Sequence, residues 1–381
     1  MDIEEFLNLR QSDIPTIVAN VRAHVGLSSG DLLLAVGSLA EGLGNSKSDL
    51  DLLLVTPSDA SSQHPRELAL VVGKCLSDVQ VLRIQELDEL LNRFNSWANR
   101  PWSIAHAAEF SLEERRLLHR LLHSIILFQG HDNNLVARLP TRNNLARLKL
   151  HATRHLSRTI QVDMVGNRES DDYSSLVFAS QELLGQAADA LASGYYFTNP
   201  TPKWRSRILE LLPSDWDAPL GIRPTGLTAS ELFWQLHRAP ERPNRRGALE
   251  HSFRIATFAR GAFAWAERKL LGDVAQIRKS IEWPHIEREP QDLALPFLDI
   301  DVDYHEVGFR VSLARLNEFQ DPIELSSQEF AFTMFFDGIT TEREARYALC
   351  GIDSGSSEQC PVAQLVSRLT NAGLCHSSVF A

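Results

Sequence analysis

The sequence predicts an α+β protein in three parts: a small mixed-sheet domain over residues 1–98, an all-helical domain over 99–285, and a C-terminal winged-helix-like domain over 290–381. Three observations predict it. Period-two apolar segments alternate with helix-like runs through the first hundred residues. Three-and-four spacing then continues from about Trp97 to Pro284. Beyond the proline-bearing stretch EWPHIEREPQDLALP (282–296), which reads as a linker, strand-like and helix-turn-helix patterns follow one another. At 381 residues and 44% hydrophobic, more than one core is expected, because a single core seldom organises more than about 250 to 300 residues.

The first part opens with an acidic, amphipathic N-terminus, MDIEEFLNLRQSDIPTI, and a helical run from Ile14 to Val25. It lacks the basic start and apolar core of an export signal, and no apolar run is long enough to span a bilayer, so a cytoplasmic location is expected. GLSSGD leads into the strand LLLAV (32–36), the glycine-punctuated loop GSLAEGLG follows, and DLDLLLV (49–55) is the second strand. PRELALVVGKCL (65–76) has helical spacing, and DVQVLRI (78–84) alternates as a strand does.

In the second part, FSLEERRLLHRLLHSIILFQG (110–130) starts with Ser111 and Glu114 in capping-box spacing and is expected to stay helical to Gly130. LARLKLHATRHLSRTIQ is a basic helix whose Arg147, His151, Arg154 and Arg158 share one face, either solvated or forming a wall that receives an anion. DDYSSLVFASQELLGQAADALASG is a helix of small residues stopped by Gly194, and helical runs follow in 195–212, 229–239 and 246–271. Lys203 flanks Trp204 in NPTPKWRSR, a core position for the indole with Lys203 a phosphate candidate. His119 and His123 lie four apart in HRLLH without an evident third metal ligand, so packing or surface roles are expected; His151 and His155 repeat the spacing. The four cysteines show no ligand spacing and are expected to be free thiols.

The third part carries the charge. Of the net −11, most lies between Gln291 and Ala381, where fourteen acids face five arginines. A nucleic-acid track needs a basic surface, so that partner is not expected.

The chemistry concentrates at the glycine loop. Side chains alternate across a strand, so Asp49 and Asp51 project to one side while Leu50 and Leu52 enter the core. Two carboxylates so close repel, and a divalent cation, most readily Mg²⁺, resolves the repulsion. Asp78 can add a third carboxylate. The glycines of GSLAEGLG let backbone N–H groups approach a phosphate, which suits a nucleoside triphosphate bridged to the acids by metal. Lys47, two residues before Asp49, is a loop-tip surface lysine or a phosphate contact.

These residues resemble the nucleotidyltransferases of the DNA polymerase β superfamily, in particular the small-substrate, aminoglycoside-nucleotidyltransferase-like members. Gly37-Ser38, a ten-residue spacer and Asp49-Leu50-Asp51 match the signature, and DVQV matches the segment that brings the third acid. The resemblance implies that Gly37 and Ser38 grip the triphosphate, with Lys47, Arg147 and Lys203 as further basic candidates. It implies that Asp49, Asp51 and Asp78 bind Mg²⁺, and that NMP passes from NTP to a small-molecule hydroxyl, phosphate or carboxylate with release of pyrophosphate. Two positions depart from the pattern. Glu41 places an anion near the phosphates, which favours a rival reading as a catalytically silent nucleotide-binding scaffold, and Ser77 replaces the usual apolar residue before Asp78. The C-terminal LSSQEFAFTMFFDGITTEREA with VAQLVSRLTNAGL resembles winged-helix peptide-recognition domains of the PqqD type, which would make a peptide or protein the acceptor; the other reading is a structural cap on the helices.

Overall fold

The computed structural model describes residues 1–57, 67–72, 75–100, 109–130, 135–213, 226–271, 289–290, 292–307, 310–316, 321–350 and 361–377. The fold is α+β and divides into two compact units: Met1–Leu145 with Thr198–Trp204, and Ala146–Phe197 with Arg205–Ala381.

The first unit is built on a five-stranded mixed sheet of β1 (Leu32–Val36), β2 (Leu50–Thr56), β3 (Glu67–Val72), β4 (Cys75–Arg83) and β5 (Ile125–Gln129), in the order β3-β4-β2-β1-β5. Among the described residues, only the β2–β4 pair of this sheet is parallel. Alternation assigns the faces. Leu33 and Ala35 of β1, Leu50, Leu52 and Leu54 of β2, and Val79 and Val81 of β4 form one core with Phe6, Ile17 and Val21 from the helices Ile3–Leu9 and Ile14–Val25. Asp2 and Asp13 cap those helices through the backbone N–H groups of Glu5 and Thr16. The opposite face carries Asp51, Asp78 and Val36 in one row, because Val36 pairs with Asp51 and Asp51 with Asp78.

Two expectations for this unit fail. Residues 67–72, read as helical, form β3. Glu67, Ala69 and Val71 point away from the core and Leu70 into it, and the antiparallel partner Cys75–Arg83 is immediately available, so alternation prevails over the helical reading of the same apolar residues. The helix opened by Ser111 has its capping box but ends at Leu122, and Ile125–Gln129 becomes a strand. A short apolar run does not by itself distinguish helix from strand; here the free edge of β1 decides. The segment after Trp97 is therefore not purely helical, since it supplies the fifth strand.

The second unit packs the helices Arg142–Glu169, Tyr173–Gly194 and Arg245–Leu271 with a C-terminal layer. Ala187, Ala188, Ala190 and Gly194 let helices approach closely: a Cβ on Gly194 would fall 2.2 Å from the Trp265 ring. The C-terminal layer pairs β6 (Phe297–Leu298) with β10 (Cys375–His376). A separate three-stranded sheet contains β7 (Val302–Val307), β8 (Arg310–Arg315) and β9 (Ile323–Leu325), and the helices Ser327–Thr333, Glu342–Cys350 and Val362–Asn371 complete the layer. Its core is aromatic: Phe330, Phe332, Phe335 and Phe336 are fully buried. Gly338 sits at φ +71° in the Asp337-Gly338 turn, where Asp337 accepts from the backbone N–H groups of Ile339 and Thr340. Most of the expected linker lies outside the described residues, but its end does not behave as one: Leu295 is buried and donates to the Thr340 carbonyl.

The basic face of the first long helix is neither solvated nor free to receive an anion. Arg154 and His151 are buried. Arg154 reaches Asp303 and lies over the Tyr304 ring at 4.2 Å, and Arg158 donates to the other Asp303 oxygen. Charge that looked spare along the helix is matched by acids more than a hundred residues away. Cys75 and Cys375 are free thiols, as expected, and both are buried; Cys360 and the side chain of Cys350 lie outside what is described.

Candidate active site

The site begins where β1 stops. Val36 is the last residue of the strand, and Gly37 turns the chain with φ +77°, a conformation that resists any side chain. A Cβ at Gly37 would lie 2.0 Å from Oδ2 of Asp51, so the turn is pressed directly against that carboxylate. Ser38 and Leu39 continue as a single helical turn, closed by the bond from the Leu43 N–H to the Ser38 carbonyl at 2.8 Å.

Asp51 stands beside Asp78 across the parallel β2–β4 pair, and Asp49 precedes β2 by one residue. Neighbouring strands are about 4.8 Å apart, so the two carboxylates share one small volume. Burial pushes the Asp51 carboxyl above its ordinary 3.8; the charge of Arg120 opposes this, those of Asp78 and Asp49 add to it, and that of Lys203 opposes it. Among the described residues, none of the three aspartates forms an ion pair. Above Asp51 and Asp78 opens a cleft of about 320 Å³, lined also by Val36, Glu67, Gln80 and Arg120 together with nearby strand residues; Asp49 is not part of its lining.

The remaining sequence candidates are dispersed. Lys47 is exposed on the Asn45–Ser48 turn, its backbone N–H donating to Asn45 Oδ1. Lys203 is exposed, with its ammonium 4.8 Å from the Trp204 ring, in the short segment that belongs to the first unit. Trp204 itself is half-buried, not a core residue. Arg147 belongs to the second unit, half-buried in its helix, where burial lowers its pKa.

Sequence reading passed over three of the cleft residues. Arg120, from the helix Leu112–Leu122, donates to Gln80 Oε1 at 3.3 Å. Glu67 lies opposite Gln80 in the β3–β4 register. The alternation of Glu67, Leu68, Ala69 and Leu70 was the available signal for Glu67; Arg120 had none beyond its place between two histidines.

Glu41 does not lie idle near the turn. Its Oε2 is 3.1 Å from His119 Nε2 and accepts from Asn199 Nδ2 at 2.7 Å. Burial pushes this carboxyl up, but the His119 hydrogen bond and charge outweigh it and leave the group below its ordinary value. His119 Nδ1 and His123 Nε2 both reach Thr198 Oγ1, at 2.8 and 3.3 Å. Burial and the neighbouring His119 push His123 down to about 4. HRLLH thus has a carboxylate beside it after all, one that the sequence alone did not reveal.

No protein-family model matches the chain, and no curated protein matches it. Among solved structures, a nucleotidyltransferase-like protein from Exiguobacterium sibiricum 255-15 is similar at 14% identity over 68% of this chain and 75% of that chain, with a TM-score of 0.34. A likeness at that TM-score decides nothing about function.

Proposed function

We propose that the chain is a Mg²⁺-dependent nucleotidyltransferase that moves an NMP group from NTP to a small-molecule acceptor and releases pyrophosphate. The observation that carries this reading is the register pair Asp51 and Asp78, which lines a cleft and has the side-chain-free turn at Gly37 packed on Asp51. The donor set fits a hard dication. All its ligands are carboxylate oxygens, and burial together with the repulsion that raises Asp51 is what a bound cation relieves.

Asp49, Asp51 and Asp78 would hold Mg²⁺, which when bound neutralises charge on the donor phosphates and makes an acceptor hydroxyl easier to deprotonate. The chain's own groups do the rest. The Gly37-Ser38 backbone, without a Cβ at its first position, takes the donor's phosphate tail. Arg120, at the cleft wall, offers a guanidinium to a non-bridging oxygen or to the departing pyrophosphate. Lys203 adds positive charge that acts on Asp51. The Asp78 carboxylate, the more exposed of the register pair, receives the acceptor proton as the acceptor oxygen bonds to the α-phosphorus and the bond to pyrophosphate breaks.

Glu41 was the feature that favoured a silent scaffold. Because its charge is met by His119 and Asn199, it supports that rival less than its position in the loop suggested. The acidic C-terminal part favours a small acceptor over a nucleic-acid track. The test is pyrophosphate release from each labelled NTP with Mg²⁺ and a panel of hydroxyl, phosphate, carboxylate and peptide acceptors. Activity should fall more than about 100-fold in Asp51→Asn, because even an outer-shell partner of a metal ligand is worth 10- to 100-fold. Nucleotide binding without pyrophosphate under every acceptor would replace the enzyme with a scaffold.

A further inference from the structure

We propose that Glu41, His119 and His123 form a binding site for one Zn²⁺-class dication, separate from the acidic row and serving to fix the turn that precedes it. One ligand atom from each residue lies within 4.8 Å of the others. A tetrahedral zinc site, with metal–nitrogen and metal–oxygen distances near 2.1 Å, wants ligand atoms about 3.4 Å apart. The Glu41 Oε2 to His119 Nε2 separation, 3.1 Å, is already near that value. His123 completes the set by a ring rotation, which its half-buried position permits.

The site is built from three directions. His119 lies in the last turn of Leu112–Leu122 and His123 is the residue that caps it, and their ring centroids are 4.8 Å apart. Glu41 follows the single helical turn Gly37–Ala40. Thr198 and Asn199 arrive from a segment remote in sequence that nonetheless belongs to the same compact unit. These two act as outer partners: Thr198 Oγ1 holds His119 Nδ1 at 2.8 Å, which leaves Nε2 as the nitrogen aimed at Glu41, and Asn199 Nδ2 steadies the carboxylate at 2.7 Å. Metal-bound histidines carry this kind of second hydrogen bond, which orients the ring. The side chains of Glu41 and His119 are only 10% and 9% exposed, so the ion would be shielded from bulk water.

Two imidazoles and one carboxylate select borderline cations such as Zn²⁺ over Mg²⁺, which prefers all-oxygen sites like the aspartate row. Binding displaces the proton shared by His119 and Glu41 into solvent, and ties the residue four positions beyond Gly37 to the helix that carries Arg120. None of this depends on the chain's being a nucleotidyltransferase.

The full chain, freed of metal by a chelator and dialysed, is titrated with Zn²⁺ by calorimetry, and with Co²⁺ as a visible-absorption probe of its ligands. With Mg²⁺ in excess to occupy the aspartate row, one Zn²⁺ per chain is expected, with a nitrogen-bearing Co²⁺ spectrum and a rise in Tm. Glu41→Gln retains an acceptor for His119 and Asn199, so it should remain folded while losing at least about tenfold in Zn²⁺ affinity. His123→Asn, at the rim of the cluster, is the second variant and should lose a similar factor. Asp51→Asn should bind Zn²⁺ as the parent does. Absence of Zn²⁺ binding, binding unchanged in both Glu41→Gln and His123→Asn, or binding lost in Asp51→Asn would each overturn the site. Circular dichroism of each variant separates loss of a ligand from loss of the fold.

Discussion

Two stretches of this chain alternate aspartate with apolar residues, Asp49-Leu50-Asp51 and Asp299-Ile300-Asp301-Val302-Asp303, and the structure treats them in opposite ways. In the second unit every one of the three acids is matched. Asp299 binds Arg168 at 2.6 Å, Arg315 at 2.9 Å and His376 at 3.1 Å; Asp301 binds Arg315 at 2.8 Å; Asp303 takes Arg154 and Arg158. In the first unit the acids meet one another. Asp299 and Asp301 lie in the turn between β6 and β7 and Asp303 on β7, whereas Asp51 and Asp78 share a sheet face; in both places the cations within reach decide whether neighbouring carboxylates become cement or a site. The protonation energetics have opposite signs. Burial would raise Asp299, but His376 and Arg168 overrule it and hold the carboxyl far below 3.8, whereas Asp51 is raised above 3.8. Ionised Asp299 stabilises the fold and ionised Asp51 strains it; Asp301, raised by burial and by the Asp299 charge although Arg315 opposes both, shares the Asp51 direction inside the matched run.

The largest effect should come from breaking the matched run. Asp299→Asn leaves Arg168 and Arg315 short of a buried partner, and removing one member of a buried pair typically costs about 3 to 5 kcal/mol. Urea unfolding of the full chain at pH 7 measures it. The sign of the pH dependence follows from a depressed carboxyl: its contribution is complete above 3.8 and is lost as pH falls below that, so the gap between Asp299→Asn and the parent should narrow in acid. A gap that stays constant with pH would mean that the arginines are held by something other than this charge.

Asp51→Asn should move stability the other way. Removing a carboxyl whose ionisation is opposed by burial and by two neighbouring acids should raise stability at pH 7 by about 0.5 to 2 kcal/mol, the usual range when a strained functional residue is neutralised. Here too the difference should vanish as pH falls below 3.8, because the parent's carboxyl is then protonated in both folded and unfolded chains. An Asp51→Asn protein less stable than the parent would erase the contrast between the two runs.

Gly37→Ala tests whether the turn belongs to the strained side. It forces a side chain into φ +77° and into contact with Asp51, for which strain of about 1 to 3 kcal/mol is expected. Gly42→Ala is the control: it has the same φ, but nothing lies within 4 Å of its Cβ, so it should cost less in the same thermal melt.

The two runs also differ in how far the sequence could be read. Gly37, Asp51 and Asp78 come together through a strand end and one register, both short-range consequences of period-two alternation, so their spacing was enough to anticipate the row. Glu67 was hidden because β3 also satisfies helical spacing, and only pairing with β4 settles which face it occupies. Arg120 and the Glu41–His119–His123 cluster depend on how a helix some seventy residues downstream rotates against the sheet, which no local pattern encodes. Arg154 and Arg158 looked available for an anion because their helix pattern says nothing about Asp303. Local periodicity fixes faces; pairing between distant faces decides charge.

The smallest effect, and the sharpest probe of uncompensated charge, is Asp78→Asn. Asp78 is exposed where Asp51 is half-buried, and its charge is one of those that raise the Asp51 carboxyl. Neutralising it removes one of the two negative charges that raise Asp51, while burial continues to push upward and Arg120 and Lys203 continue to pull downward. The Asp51 titration, followed by carboxyl NMR shifts, should therefore move toward its ordinary value without reaching it, with a gain in stability at pH 7 of about 0.5 kcal/mol after solvent screening. Arg120→Gln should move the same titration upward. If neither substitution shifts it, the elevation belongs to burial alone, and the aspartates of the first unit are neighbours in the sheet without being a cluster in energy.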